Sequence, residues 1–558
     1  MPPFPATEAL PVLQSKEPFP LRLVFLAALV PTLLGVFCAT FIAPPMLSSD
    51  TSVGLFTWYN FMEGGTWNSV RTVDPSNIAQ SMEYPAAWWS PGQYVPLGLL
   101  HSAGVRLGTA ITIISAAGTL ALGLGVAALA WSMQAPRHTL PWITLAACAT
   151  HHAFYAFGFF YGGEVAQVAV WPWAIFLAWR LRKRTFPLII ILSTILLIGT
   201  FGKHSFAIYA LSILAFLWVE AFRDSVQKGM LRTLWGRLWS TTLTLCAAGI
   251  LFALGRHFLI DTSHTPGTQG VVSRSFLESW GYSFYGPILG LSGIDKTLGY
   301  VSYQLLGIKG EDVWSNSGPL LSLLSPLALG LYFWLLLKKA PMERLAGVVA
   351  LTTGAIFFLL LWAGGAISLD SRHYQPTAIL LLLVTGAKIL DSNRIIAIGA
   401  RLLLGWSILF GCGTVIQRHI KMSSPLSDSY NKSENLTLGD MPQPVQNELG
   451  RLAGLDHSVI TMENWAHGNA LYKLRHPTTH FLLVDNGTEY TSNNERYGRV
   501  PRLVIALQNR EVDKPRAKQL RESFRDYRED EWSSYELDGW VIWQAGDAVA
   551  VTTNPSQS

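Results

Sequence analysis

Charged side chains are scarce in this sequence. They make up 14% of its 558 residues, whereas an ordinary soluble protein carries about 25%. Half of the residues are apolar, and they fall into runs of about 17 to 23, the length that crosses a hydrocarbon core of roughly 30 Å. The composition therefore excludes an ordinary soluble protein and predicts an α-helical polytopic membrane protein.

Cysteine is scarce as well. All four cysteines lie within predicted membrane spans, and no two have the spacing of metal ligands; they are Cys38, Cys148, Cys246 and Cys412. We interpret them as small apolar packing residues.

A large net charge is also absent. The net charge is +5, and the basic residues gather beside the hydrophobic runs, which indicates topology rather than nucleic-acid binding. Membrane lipid is the expected partner, and nucleic acid is not. Residues 1–20 are rich in proline and lack a basic region ahead of a small-residue cleavage site, so we expect the first hydrophobic run to be retained.

We predict a membrane domain over residues 21–416 with about eleven spans. The spans lie near residues 21–43, 109–131, 140–157, 165–180, 186–201, 205–221, 239–257, 316–337, 345–366, 375–388 and 395–416. Alternate loops are basic, most clearly RLRKR at 180–184. We predict that the protein lies in the inner or plasma membrane. The positive-inside rule then places the N-terminal segment, residues 1–20, in the cytoplasm. Loops 44–108 and 258–315 are extracytoplasmic.

Two apolar stretches do not fit a simple span. Residues 91–103 are short and interrupted by Pro96, which favours an interfacial or re-entrant segment. Counting them as a span would place RLRKR outside, against the charge rule. The stretch 260–314 is rich in glycine and aromatic residues, and an additional helical hairpin there would change the span count without changing sidedness.

The tail, residues 424–558, is polar and charged. Four short strand-like runs occur in it, at 458–462, 480–484, 502–507 and 540–543, with a charged helical pattern at 514–526. This alternation predicts a small extracytoplasmic α/β domain. It contains no nucleotide-binding glycine loop and no serine nucleophile elbow, so we expect a structural or acceptor-binding role.

Ionisable residues collect at the predicted outer surface, where a charge near the bilayer indicates function. Asp50 follows the first span and precedes an interfacial helix. It is a candidate general base, which would take a proton from an acceptor hydroxyl. The alternative is that Asp50 caps the helix, a role that Ser48 and Ser49 would also suit.

Two other acids are candidates for catalysis. Glu83 precedes Trp88 and Trp89, which suit a membrane interface or a sugar-stacking surface; the alternative is an aromatic anchor with a solvated acid. Glu164 follows a two-glycine turn and opens a helix, so its carboxylate either takes part in the site or only complements the helix dipole.

Basic residues near the same surface are candidates for binding a phosphorylated substrate. Lys203 and His204 interrupt two spans, and a lysine there either neutralises a phosphate or extends to the lipid headgroups. Arg372, His373 and Tyr374 precede a proline-started span, and an arginine suits bidentate phosphate binding. Asp261 and His264 do not complete a metal site, so the cofactor stays open between none and a divalent cation.

These features resemble the GT-C superfamily of polytopic glycosyltransferases, such as protein mannosyltransferases that use dolichyl-phosphate mannose and bacterial aminoarabinose transferases of lipid A. The matching positions are Asp50, the segment PGQYVPLGLL, Glu164, the Gly202 and Lys203 step, and Arg372 with Tyr374 and Pro376.

The resemblance covers residues 20–416 and implies a membrane hexosyl- or pentosyltransferase of the cell envelope. Its donor would be a polyprenyl-phosphate-linked sugar and its acceptor a lipid, glycan or protein. Asp50 would be the base, and Lys203 and Arg372 would contact phosphate. Many members carry two adjacent acids, whereas Thr51 follows Asp50 here, so the partner acid is Glu83 or Glu164.

Two other functions remain open from the residues alone. A lipid or solute transporter or flippase should show internal repeats and ionisable groups near mid-membrane, and neither is evident. A non-catalytic assembly factor for envelope polysaccharide would use the aromatic loops for binding.

Overall fold

The computed structural model of the chain is mostly helical. It describes residues 18–85, 90–160, 162–227, 231–259, 274–292, 310–365, 369, 371–389, parts of 395–413, 430–437, 441–455, 458–462, 479–483, 495–512 and 515–546. Structural statements below concern these residues.

Helices dominate up to residue 389, because a backbone crossing lipid must satisfy its hydrogen bonds within the segment. In chain order they are α1 (Leu21–Phe37), α2 (Ser49–Met62), α3 (Val95–Ser102), α4 (Leu107–Ser132), α5 (Leu140–Cys148), α6 (His151–Gly158), α7 (Gly162–Leu181), α8 (Thr185–Gly202), α9 (Phe206–Gln227), α10 (Leu231–Leu259), α11 (Phe276–Ser292), α12 (Gly310–Leu336), α13 (Pro341–Trp362) and α14 (Gln375–Ile389). Helical residues also recur between 395 and 413.

Five helices of the described chain are long and apolar enough to cross a membrane, namely Leu21–Ile42, Leu107–Ser132, Thr185–Gly202, Phe206–Val226 and Pro341–Trp362. The total of about eleven spans stays a prediction. One predicted span, 140–157, is divided into α5 and α6, because Thr150 adopts an extended backbone between them.

The two ambiguous stretches are both partly helical. Residues 91–93 form a 3₁₀ turn and α3 has only eight residues, about 12 Å at 1.5 Å per residue, which is too short to span. The predicted outer loop 258–315 contains α11, which packs against α12: Tyr332 on α12 donates a 2.9 Å hydrogen bond to the Phe284 carbonyl.

A buried ion pair joins α9 and α13. Two nitrogens of the Arg344 guanidinium, Nε and Nη2, each lie 2.6 Å from a carboxylate oxygen of Glu220. Such parallel contacts fix orientation as well as distance. The pair lies at the C-terminal part of α9, far along that helix from Lys203.

Strands occur in the first loop, between α6 and α7, and in the tail. They are β1 (Met46–Leu47), β2 (Ser69–Asp74), β3 (Asn77–Pro85), β4 (Phe159–Phe160), β5 (Tyr430–Asn431), β6 (Leu436–Thr437), β7 (Ser458–Met462), β8 (Thr479–Leu483), β9 (Arg502–Gln508), β10 (Ser533–Leu537) and β11 (Trp540–Ala545). Strands β2 and β3 form an antiparallel hairpin.

Strands β7 to β11 of the tail form one mixed sheet with the order β10-β11-β9-β7-β8. Strand β9 is buried along its whole length, as expected for a central strand covered on both faces. Strands β7, β8, β9 and β11 overlap the four predicted runs. Helices α15 (Gln443–Ala453), α16 (Asn509–Val512) and α17 (Pro515–Glu522) accompany the sheet.

The tail shares its core with the first loop. Val73 and Ile78 of the hairpin belong to the same buried cluster as Val459 and Leu503 of the tail sheet. The Tyr497 amide also donates a 3.0 Å hydrogen bond to the Pro75 carbonyl. The tail therefore lies at the end of the helices where the first loop lies.

Candidate active site

Three charged side chains from distant parts of the chain meet at one end of the helices. Lys203 Nζ donates a 2.6 Å hydrogen bond to Glu164 Oε1, and Arg372 Nε lies 3.7 Å from the same oxygen. The exposed fractions of the three side chains are 10%, 14% and 20% respectively, so solvent screens their charges little. One carboxylate thus lies between two cations, and this group carries a net positive charge.

Asp50 lies in the first turn of α2, within electrostatic reach of the Lys203 ammonium. The cap of that helix is Ser48, whose side chain accepts a 3.1 Å hydrogen bond from the Thr51 amide. Ser48 therefore occupies the N-cap, and Asp50 lies two residues further along the chain.

A small sheet, in which β1 pairs in parallel with both β4 and β6, holds the segments that precede the two acids. Strand β1, just before Asp50, pairs with β4, just before Glu164, through Met46 with Phe159 and Leu47 with Phe160. The Ser48 amide extends this pairing with a 3.2 Å hydrogen bond to the Phe160 carbonyl. Strand β6 of the tail joins β1 from its other side.

Close backbone crossings bring Glu164 and Lys203 together. A Cβ on Gly162 would lie 2.1 Å from the Gln93 carbonyl oxygen, and one on Gly92 would lie 2.7 Å from the Gly202 Cα. A Cβ on Gly202 would lie 2.7 Å from the Ala166 side chain. The segment at 91–93 is thus wedged between the start of α7 and the end of α8, at a distance that only glycine permits.

Aromatic side chains fix the backbone around Arg372. The Tyr374 ring is fully buried, with ring centroids 4.7 Å from Phe357 and 5.2 Å from Tyr282. The Tyr209 hydroxyl donates to the His373 carbonyl, and Trp171 Nε1 donates to the Pro376 carbonyl at 3.2 Å. Since Trp171 is on α7, these contacts set Arg372 relative to Glu164.

The sequence predicted Tyr374 and His373 as substrate-binding residues. The structure places Tyr374 inside the helix packing, whereas His373 is half-buried next to Arg372 and electrostatically coupled to Glu164. His204 is half-buried beside Lys203, in the turn between α8 and α9.

Glu83 lies away from this group, on strand β3. Its carboxylate accepts hydrogen bonds from the Thr66 amide at 3.1 Å, from Asn60 at 3.2 Å and from Ser69 at 3.2 Å. Partial burial by itself raises the pKa of the Glu83 carboxyl, but these hydrogen bonds outweigh it and lower the pKa below its ordinary value. The contacts tie the hairpin to the end of α2.

Several predicted residues lie outside the described ranges, namely Trp88, Trp89, Asp261, His264 and Cys412. In the described chain, no three His, Cys, Asp or Glu side chains are grouped as metal ligands would be. Cys38 and Cys148 are buried and Cys246 is exposed on α10.

A small open pocket lies between α4, α6, α7, α11 and α14. Its lining is mostly apolar, with Leu122, Val168 and Ile379 among the contributors and Gln375 as a polar one. Val168 lies one helical turn after Glu164 and Gln375 lies three residues after Arg372. The pocket therefore adjoins the charged group, and it lies next to it along α7 and α14.

The residues that sequence reasoning missed are those that hold the site rather than those that carry charge. Gln93, Trp171 and Tyr209 are the clearest examples. The sequence signals for the crossing are that Gly163 and Gly202 stand directly before charged residues and that Gly92 and Gln93 belong to the segment PGQYVPLGLL.

No family model matches the sequence, and no curated protein matches it. Two solved structures are similar to the chain over most of its length. The crystal structure of ArnT from Cupriavidus metallidurans in the apo state has 12% identity and a TM-score of 0.48, covering 95% of this chain and 98% of that chain. The Archaeoglobus fulgidus oligosaccharyltransferase in the apo form has 10% identity and a TM-score of 0.46, covering 92% and 73%. The roles proposed below rest on the contacts of the described residues.

Proposed function

We propose that this chain is a membrane glycosyltransferase that moves a sugar from a polyprenyl-phosphate-linked donor to an acceptor hydroxyl. The observation that supports it most is the placement of Lys203 and Arg372 around Glu164, beside the helix start that presents Asp50. Cations for a leaving phosphate and an acid for an attacking hydroxyl are the groups that this transfer needs.

The reaction assigned to these residues is a substitution at the anomeric carbon. Asp50 takes the proton from the acceptor hydroxyl as its oxygen forms a bond to that carbon. The bond from the anomeric carbon to the phosphate oxygen breaks, and the electron pair leaves with the lipid phosphate. Lys203 and Arg372 stabilise the added negative charge, as preorganised cations do in a poorly solvated site.

Glu164 is assigned to hold the two cations in place before the donor binds. Without it, two positive groups would repel each other in a site that is largely screened from water. Glu83 is assigned to the support of α2, because Asn60, Thr66 and Ser69 surround its carboxylate. Of the two candidate partner acids, Glu164 is therefore the one that we place in the site.

The apolar pocket between α7 and α14 is assigned to contact the isoprenoid chain of the carrier. A chain lying along it would bring its phosphate next to Lys203 and Arg372. We propose that the end of the helices that carries Glu164 and Lys203 lies on the extracytoplasmic side of the cell membrane. The basic loops predict this orientation. The tail would then be extracytoplasmic, because it packs on the first loop.

The test is transfer by the purified full chain in nanodiscs, supplied with a panel of undecaprenyl-phosphate-linked sugars and membrane extract as the acceptor source. Asp50→Asn is expected to lower the rate by about 10² to 10⁴-fold. Asp74→Asn is the matched control, because that acid bonds only locally to Ser76 in the described contacts. Normal transfer by Asp50→Asn would exclude it as the base.

A further inference from the structure

One short segment of the tail, residues 430–437, is linked to both ends of the helix that presents Asp50: directly to the residues before the helix and through His101 to Tyr59 near its C-terminal end. At the start of α2, the Thr437 amide donates a 3.0 Å hydrogen bond to the Pro45 carbonyl. Thr437 also pairs in parallel with Met46 of strand β1. The backbone that leads into Asp50 is thereby hydrogen-bonded to the tail.

At the other end of α2, side chains make the connection. The Tyr59 hydroxyl lies 2.5 Å from His101 Nδ1, and His101 Nε2 lies 3.4 Å from Glu434 Oε2. The two ring nitrogens of His101 thus face one partner each, the Tyr59 hydroxyl and the Glu434 carboxylate. Tyr59, His101 and Glu434 thus form a continuous chain from α2 through α3 to the tail.

Glu434 also closes the start of α4. Its carboxylate accepts a 3.1 Å hydrogen bond from the Leu107 amide, and its carbonyl accepts a 2.9 Å hydrogen bond from the Gly108 amide. Amides in the first turn of a helix have no partner within the helix, and an acid there is favourable. A Cβ on Gly108 would lie 1.7 Å from the Asn435 carbonyl oxygen, so the segment approaches as closely as glycine allows.

We propose that residues 430–437 position α2 for catalysis, with Glu434 and His101 acting as positioning residues through Tyr59. This inference rests on the proposed transfer reaction and gives the tail a role in it. Neither Glu434 nor His101 touches the charged group of the site. They act on the position of Asp50. Residues 430–437 hold the backbone before α2 directly and hold Tyr59 through His101.

The geometry makes such an effect large. Helix α2 has 14 residues and is about 21 Å long, so a small tilt at Tyr59 moves Asp50 noticeably. A displacement of about 1 Å in a reacting group can cost roughly 100-fold in rate. Buried side chains of α2 add to the support, since Val53 and Leu55 share a buried cluster with Val445 and Leu449 of the tail.

The first test is a double-mutant cycle with Tyr59→Phe and Glu434→Gln in the nanodisc transfer assay. The glutamine oxygen keeps an acceptor for the Leu107 amide and removes the charge facing His101. We expect each single variant to lower kcat about 10-fold with the KM for the lipid donor unchanged. The double variant should be no slower than the singles, because both break the same chain.

Tyr535→Phe is the control, because Tyr535 bonds to Glu448 within the tail, and it should leave kcat unchanged. Additive losses in the double variant, or losses confined to KM, would overturn the positioning role.

The second test does not depend on the transfer reaction. Gly108→Ala should push residues 430–437 away from α4, and amide hydrogen exchange along residues 49–62 should then quicken at least several-fold. Gly330→Ala is the matched control, because a Cβ there meets nothing within 4 Å. If Gly108→Ala does not fold, Glu434→Gln is measured in the same way.

Unchanged exchange in α2 would refute the positioning role even if the chain proves to be a transferase. A different result would separate the two proposals. If exchange in α2 is faster in the variant but the unmodified chain transfers no sugar from any donor, the positioning of α2 is supported and the transfer reaction is refuted.

Discussion

The Lys203 ammonium lies 2.6 Å from the Glu164 carboxylate, at the junction of two helices that run in opposite directions. Glu164 opens α7 and Lys203 follows α8, so both stand at the same end of the bundle. A phosphate entering this site would compete with Glu164 for Lys203 and Arg372. Glu164 therefore affects how tightly Lys203 and Arg372 can bind a phosphate. Its removal should change both the free energy of unfolding and the rate of transfer.

Glu164→Gln is expected to destabilise the protein. The substitution leaves Lys203 and Arg372 next to each other without the carboxylate between them. Removing one partner from a buried ionic group costs roughly 3 to 5 kcal/mol in unfolding free energy. Thermal unfolding in detergent measures the loss, and donor transfer should fall in parallel because the cations are no longer held in place.

Two controls separate this loss from a general effect of removing acids. Glu164→Asp keeps the charge and should be milder. Glu495→Gln breaks the pair with Arg525 at the tail surface, where the side chain of Arg525 is 47% exposed and that of Glu495 is 34% exposed. Such exposed pairs contribute about 0 to 1 kcal/mol to the free energy of unfolding. Equal stability of Glu164→Gln and Glu495→Gln would show that the buried group is not stabilised by its acid.

Gly162→Ala is expected to separate the two helix ends that form the site. A Cβ would lie 2.1 Å from the Gln93 carbonyl oxygen, and backbone there cannot move without displacing residues 91–93. Overpacking of this kind costs about 1 to 3 kcal/mol. Gly249→Ala on α10 is the control, since a Cβ there meets nothing within 4 Å, and it should be neutral in thermal unfolding. A neutral Gly162→Ala would show that the crossing is not tight.

Much of the helical architecture could be predicted because lipid imposes both a length and an apolar composition on a spanning segment. The same rule fails where these signals are weak. Thr150 interrupts a run that is mostly apolar, and α11 mixes Glu278, Pro287 and several aromatic residues, so neither feature stands out in hydropathy. Strand β10 was missed because it is a short, mostly exposed edge strand.

The charged members of the site could be predicted from sidedness, since Glu164, Lys203 and Arg372 all fall at turns on one side. Their contact could not be predicted, because it depends on glycine crossings between segments far apart in sequence. The two-residue strands β1, β4 and β6 are too short to show any periodicity. For the same reason, nothing in residues 430–437 signalled that the tail reaches α2.

Glu83→Gln is expected to change stability in a pH-dependent way. The folded protein lowers the pKa of the Glu83 carboxyl, because hydrogen bonds from Thr66, Asn60 and Ser69 outweigh the raising effect of burial. A depressed pKa in the folded state adds stability above the unfolded value of about 4.3, and this stability disappears as the pH falls through the folded pKa. The unmodified chain should therefore unfold at a higher temperature than Glu83→Gln at pH 7.

That difference should shrink as the pH is lowered below about 4, which thermal unfolding between pH 7 and pH 3 would follow. Transfer measured at pH 7 distinguishes support from catalysis for the same residue. A carboxylate that only braces the hairpin against α2 should give a modest loss in rate that tracks the loss in stability. A loss as large as that of Asp50→Asn, in a protein that unfolds normally, would instead make Glu83 the second acid of the reaction and leave Glu164 as a structural partner of its two cations.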